Sequence, residues 1–165
     1  MKALGPDHPD VAWTYDNISD AYFFMTEYEK TLDYYEKALQ IRRKALGPKH
    51  PDVAWSYQNI GIYFAEARGE YDKALDYYEK ALQIRLGSQG AQHPNVGLLY
   101  LNIGAVYASK GEYDKALLYT EKSLSIQLAA FGEVHTNVAN CYHNFGWISD
   151  LKKEYDKALA YYSQA

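Results

Sequence analysis

His50-Pro51-Asp52-Val53-Ala54-Trp55 decides the fold, because the chain writes this stretch more than once. It stands earlier as His8-Pro9-Asp10-Val11-Ala12-Trp13, and returns in weaker form as His93-Pro94-Asn95-Val96 and His135-Thr136-Asn137-Val138. A second block keeps the same beat. Glu70-Tyr71-Asp72-Lys73-Ala74-Leu75 recurs as Glu112-Tyr113-Asp114-Lys115-Ala116-Leu117 and as Glu154-Tyr155-Asp156-Lys157-Ala158-Leu159, and Glu27-Tyr28-Glu29-Lys30-Thr31-Leu32 is the most divergent copy. The period is about 42 residues, within the range of helical repeat arrays. The beat slips once: Asn59 and Tyr71 stand one residue further apart than Asn17 and Tyr28, which predicts an insertion around Glu66 to Arg68.

Each unit reads as two helices. Pro51 suits a first helical position, where its missing N–H would have had no partner, and Asp52 favours the positive end of the helix dipole. Tyr57, Ile60, Gly61 and Phe64 then follow helical spacing as one buried stripe, and Gly69 ends the helix. A second helix starts near Tyr71 and buries Ala74, Leu75, Tyr78, Ala81 and Leu82. Asp76 and Lys80 form a solvated pair four apart on it. Gly47 and Gly87 are the expected stops of the second helices. No segment alternates with the period of a strand. The expected architecture is all-α: a right-handed α-solenoid of antiparallel helix pairs, with repeats at about 8–47, 50–90, 93–132 and 135–165, the last truncated.

These residues carry a resemblance. Tyr57-x2-Ile60-Gly61-x2-Phe64 followed by Ala74-x3-Tyr78 resembles the tetratricopeptide pattern. The pattern repeats at Tyr100, Ile103, Gly104, Tyr107 and Ala116, and at Tyr142, Phe145, Gly146, Ala158 and Tyr162. Leu-Gly-x-x-His-Pro-Asp-Val-Ala, an Asn in the first helix and Ala-Leu-x-Ile-Arg in the second are similar to the 42-residue repeats of kinesin light chains. The resemblance implies a concave groove lined by the first helices, used to bind a peptide or partner protein. Lys2-Ala3-Leu4-Gly5 matches Lys44-Ala45-Leu46-Gly47, so the chain is expected to open on the tail of a preceding repeat and to be part of a longer array.

Composition narrows the function. Apolar residues make up 48% of the 165, enough for a core, and the formal charge is −4 with basic and acidic residues interspersed. A nucleic-acid binder would show a basic stripe. The longest apolar run is too short to span a bilayer, and the first residues lack the apolar stretch of a signal peptide. The single cysteine, Cys141, suits a reducing compartment, so the cytoplasm is the expected location.

Little in the chain suggests chemistry. His8, His50, His93 and His135 occupy the same loop of successive units, too far apart to share one ion, so they read as loop or helix-start residues. Cys141 and His143 stand two apart on a helix and point to different sides, which makes Cys141 a buried structural thiol. The pairs Tyr34-Tyr35, Tyr77-Tyr78 and Tyr161-Tyr162 are in phase with the repeat and read as packing. No catalytic constellation, cofactor or metal is expected.

The stripe opposite the core is the expected binding surface. It comprises Trp55, Gln58, Ile62 and Ala65 in the second unit and Trp13, Asp16, Asp20 and Phe23 in the first. In the third and fourth it is Leu98, Leu101, Ala105 and Ala108, then Asn140, His143, Trp147 and Asp150. An asparagine ladder, Asn17, Asn59, Asn102 and Asn144, flanks it and either holds a peptide backbone or ties one repeat to the next. The tryptophans likewise bind ligand or pack between repeats. The stripe lacks Lys and Arg and carries Asp16, Asp20 and Asp150, so the expected partner is a neutral-to-basic, apolar segment. The alternatives are a structural module that self-associates through its ends, or a regulatory array of a larger protein.

Overall fold

The computed structural model describes Gly5 and residues 8–165, so the match at Lys2 to Leu4 lies outside the described residues. Four first helices of equal length recur: α1 (Pro9–Phe24), α3 (Pro51–Glu66), α5 (Pro94–Ser109) and α7 (Thr136–Leu151). Each is followed by a second helix: α2 (Tyr28–Leu46), α4 (Tyr71–Gln89), α6 (Tyr113–Phe131) and α8 (Tyr155–Tyr162). No strand occurs among the described residues.

The repeated histidine starts every first helix. His8, His50, His93 and His135 are N-caps with extended backbone, and each Nδ1 accepts the backbone N–H two residues on, at 3.1–3.2 Å. The ring nitrogen thus does the work usually given to a serine or aspartate oxygen, satisfying one of the unpaired donors at the helix start. His50→Ala is therefore expected to lower stability by about 1 kcal/mol, and His50→Asn to recover most of it, as read by urea unfolding.

Turns explain the slip in the beat. Three residues join α1 to α2, α5 to α6 and α7 to α8, whereas four, 67–70, join α3 to α4. The extra residue is absorbed in the turn, leaving both helices in register. The end of α4 departs from expectation: Gly87 lies inside the helix, which runs on to Gln89. The left-handed residue that follows α4 is Gly90 (φ 85°), as Gly47 (φ 86°) follows α2 and Gly132 (φ 76°) follows α6. A glycine in the last turn weakens a helix without ending it.

The chain divides into two compact units, 1–88 and 89–165. In the first, α2 packs between α1 and α3, and α4 closes on α3. In the second, α6 packs between α5 and α7, α8 packs on α7, and α5 touches α7. One joint recurs in all four helix pairs: a stacked aromatic couple from first helix to second. Tyr22 meets Tyr34, Phe64 meets Tyr77, Tyr107 meets Tyr119 and Phe145 meets Tyr161, with ring centres 5.2–5.5 Å apart. The second member turns further in for two of the three Tyr-Tyr pairs: Tyr35 and Tyr78 are buried, with Tyr78 filling the space beside Gly61, whereas Tyr162 is exposed. The tyrosine pairs are thus packing residues, and Leu75, expected in the core, is half-buried. Lys80 lies over the Tyr77 ring, 4.6 Å from its centre.

Candidate interaction surface

Trp13 and Trp55 are the large open side chains of the expected stripe in the first unit. They remain 46% and 38% exposed, and their rings meet at 6.2 Å with planes tilted by 41°. The pairing follows from the repeat, because equivalent positions on α1 and α3 lie side by side. Asn17 and Asp20 are exposed on α1, and Ile62 is half-buried on α3. Asp20 is anchored: its Oδ1 accepts the Tyr35 hydroxyl at 2.5 Å, and burial together with this bond pushes the Tyr35 phenol well above its ordinary value.

Beneath the tryptophans lies a buried polar seam. Arg42 of α2 is fully buried, its Nη2 donating to Asp16 Oδ2 at 2.5 Å and its Nη1 to Ser56 Oγ at 2.7 Å. Its guanidinium carbon sits 4.8 Å from the Trp13 ring centre, a cation–π contact from below. Burial raises the Asp16 carboxyl above its ordinary value, and the hydrogen bond and charge of Arg42 oppose that rise. Arg85, in the same register on α4, is buried and donates to Gln58 Oε1 at 3.3 Å. On α6 the register holds Gln127, which donates to the Pro94 carbonyl at 2.9 Å and accepts from Asn137 at 3.2 Å.

This seam corrects the expected stripe. Asp16 and Gln58 were expected on the open face, but both are buried and serve the seam. A single-faced helical wheel assigns them to solvent, whereas first helices here are covered on more than one side, α3 by both α2 and α4. The asparagine ladder splits in the same way. Asn59 and Asn144 are buried, Asn102 is half-buried and Asn17 is open. Asn144 donates to Thr120 Oγ1 at 2.7 Å, tying α7 to α6.

In the second unit Leu101 is half-buried and His143 is exposed, its ring 5.4 Å from that of Tyr162. Trp147 is half-buried and packs on the cluster of Ala108, Ala116 and Ile148. Cys141 is fully buried, 3.3 Å from Ser123 Oγ, and burial pushes its thiol up. The seam could have been found in the sequence. Arg42 falls four residues after Ala38 and seven after Tyr35, on the apolar side of its helix.

Among the described residues no group of three or more His, Cys, Asp or Glu gathers as a metal site, and no helix is long and apolar enough to cross a membrane. The histidine Nδ1 atoms are already engaged in capping.

Helix pairs, glycine crossings and a repeating aromatic joint define a class of helical repeat proteins. The tetratricopeptide-repeat family profile matches residues 17–87, 64–129 and 95–165, and the chain belongs to that family. Its helix pairs resemble those of BtubC (BKLC) from P. vanneervenii, with a TM-score of 0.79 at 23% identity over 99% of this chain and 64% of that one. They also resemble a putative kinesin light chain with nearly identical repeats from Podosopora anserina (TM-score 0.75, 18% identity, 99% and 76%). A third similar fold is the apo form of RapI (TM-score 0.77, 20% identity, 99% and 56%). The chain thus spans less than two thirds of BtubC and of RapI. A search of curated proteins by sequence finds no match.

Proposed function

We propose that the chain is a protein-interaction scaffold that takes an apolar, neutral-to-basic peptide segment on its first-helix face, with Trp13 and Trp55 as the anchor. The observation that carries this reading is the pair itself: two exposed tryptophan rings in contact, backed by a buried guanidinium. Large exposed aromatics held rigid are what binding hot spots require, because little side-chain freedom remains to be lost. Asp20 and Asn17 offer an acceptor and an amide beside the rings, which suits a basic or polar backbone neighbour. In the second unit Leu98 and Asn140 hold the positions of Trp13 and Trp55 and Asn102 that of Asn17, with Leu101 and His143 beside them. The repeats at about 8–47, 50–90, 93–132 and 135–165 act as the units of this scaffold, without catalysis. A cytoplasmic setting fits the single buried thiol.

A second reading, a regulatory or structural array within a larger protein, is supported by the length comparison with BtubC and RapI. A random-peptide display selection separates a binding face from inert packing. Wild type is expected to enrich a common apolar motif, and a folded Trp13→Ala, Trp55→Ala variant to bind it about thirtyfold or more weaker. Equal enrichment by the variant would remove the pair from the site.

A further inference from the structure

A lysine lies on a pair of tyrosine rings in each of the first three repeats. Tyr15 meets Tyr34, Tyr57 meets Tyr77 and Tyr100 meets Tyr119 at 5.7–6.1 Å. Lys37, Lys80 and Lys122 sit over the second ring of each pair, 4.6–4.9 Å from its centre. The residue four before the lysine differs. It is Asp33 in the first repeat, which pairs with Lys37 at 2.6 Å, and Asp76 in the second, but Leu118 in the third. Three residues after the lysine, Gln40 and Gln83 give way to the smaller Ser125. At these two exchanges α5 and α6 carry a pocket of about 410 Å³, lined by Tyr100, Leu118, Glu121, Lys122, Ser125 and Ile126 among others. That volume falls within the range of ligand sites, which begins near about 300 Å³. Leu118 is 48% exposed, and Lys122 has no carboxylate partner among the described residues.

We propose that this pocket docks an acidic, apolar segment of a partner protein, one large apolar side chain with a single Asp or Glu beside it. The apolar side chain would cover Leu118 and the Tyr100 ring above Ile126. The carboxylate would meet the Lys122 ammonium, as Asp33 meets Lys37 within the first repeat. Charge complementarity sets the occupant: the third repeat keeps the lysine on its tyrosine bed but replaces the acid of the other two by an open leucine. Glu121, which also lines the pocket, would repel a second carboxylate, so the segment carries only one. Tyr100 stands two residues from Leu98 and one from Leu101, so the pocket opens on a different side of α5 from the first-helix face. The two sites are therefore independent, and they prefer opposite charge.

A subtractive display selection tests the pocket. A random-peptide library is selected on the wild-type chain and depleted on Leu118→Asp, which restores the acid of the first two repeats. The tryptophan face is intact in both, so its peptides are removed. The surviving motif is expected to hold a large apolar residue next to one Asp or Glu. The peptide is then made with acetylated and amidated ends, so that its side chain supplies the only carboxylate. By calorimetry it should bind Lys122→Gln about three- to fivefold weaker than wild type, and Leu118→Asp about tenfold or more weaker. Both positions are exposed, so circular dichroism should be unchanged. With lysine in place of the peptide's acid, Lys122→Glu should bind more tightly than wild type. The proposal is overturned if no acidic motif survives depletion, if Lys122→Gln binds the peptide as tightly as wild type, or if Lys122→Glu gains nothing on the lysine peptide. Self-association that Leu118→Asp abolishes, with no peptide retained, would overturn it in favour of a second copy as the occupant.

Discussion

Arg42→Leu is expected to cost about 3–5 kcal/mol of folding stability at neutral pH, the range for stripping one partner from a buried ion pair. Arg42 is fully buried, and its guanidinium serves Asp16, Ser56 and the Trp13 ring together. Leucine keeps the apolar volume but leaves the Asp16 carboxylate buried without its cation. The loss should depend on pH. Burial already raises the Asp16 carboxyl, and Arg42 supplies both influences that lower it most. Without Arg42 the folded value rises further above the unfolded one. A raised carboxyl contributes stability below its unfolded range, and that contribution disappears as pH rises through its folded value. The deficit of Arg42→Leu should therefore shrink as pH falls toward the ordinary aspartate range near about 4 and grow toward neutrality. Adding Asp16→Leu should recover most of the loss at pH 7, since an apolar pair of similar volume often matches a buried ion pair. The chain supplies a precedent: the position of Asp16 is Leu101 in the third repeat, and that of Arg42 is Gln127. Urea unfolding of the two variants at pH 4.5 and pH 7 checks all three statements. A single variant as stable as wild type at pH 7 would mean that the seam contributes nothing.

Gly61→Ala is the second large effect, expected to cost about 1–3 kcal/mol through overpacking. A Cβ at Gly61 would lie 2.5 Å from Tyr78 Cε1 and 2.7 Å from its Cδ1. Tyr78 is almost fully buried, so its ring has nowhere to go. Gly146 provides the control. A Cβ there meets Tyr162 at 2.5 Å and 2.6 Å, but Tyr162 is exposed and can turn toward solvent. Gly146→Ala should then cost much less, or nothing, because alanine is favoured over glycine in a helix by up to about 1 kcal/mol. Thermal unfolding of both variants reads the difference. Equal losses would show that the close approach, and not the freedom of the tyrosine, sets the cost.

The same contrast shows why the fold was legible and the surface only partly so. Repeat spacing carries the helix pairs directly. The recurring histidine marks four helix starts, and the stripe of Ile60, Gly61 and Phe64 marks the buried side, because both depend on local sequence alone. The one-residue slip even located the longer turn before α4. Gly87 misled because glycine's tolerance for left-handed backbone does not say which of two nearby glycines must adopt it. The binding stripe failed at Asp16 and Gln58 for a different reason. A helical wheel knows one buried face, but burial at these positions is set by residues a helix away, Arg42 and Arg85. The tryptophans differ in exposure: Trp13 and Trp55 stay open, whereas Trp147 is half-buried against the cluster of Ala108, Ala116 and Ile148. Sequence alone left both roles standing, since one residue type at a repeat position serves either, depending on what its neighbours leave uncovered.

The central claim, that Trp13 and Trp55 form the binding anchor, is tested most directly by their own fluorescence. In a Trp147→Phe variant only these two indoles report, since the chain holds three tryptophans in all. Titration with a peptide selected on the wild-type chain is expected to shift their emission to shorter wavelength and to protect it from acrylamide, saturating at the affinity measured by calorimetry. Calorimetric binding with emission and quenching unchanged would place the peptide elsewhere and contradict the account.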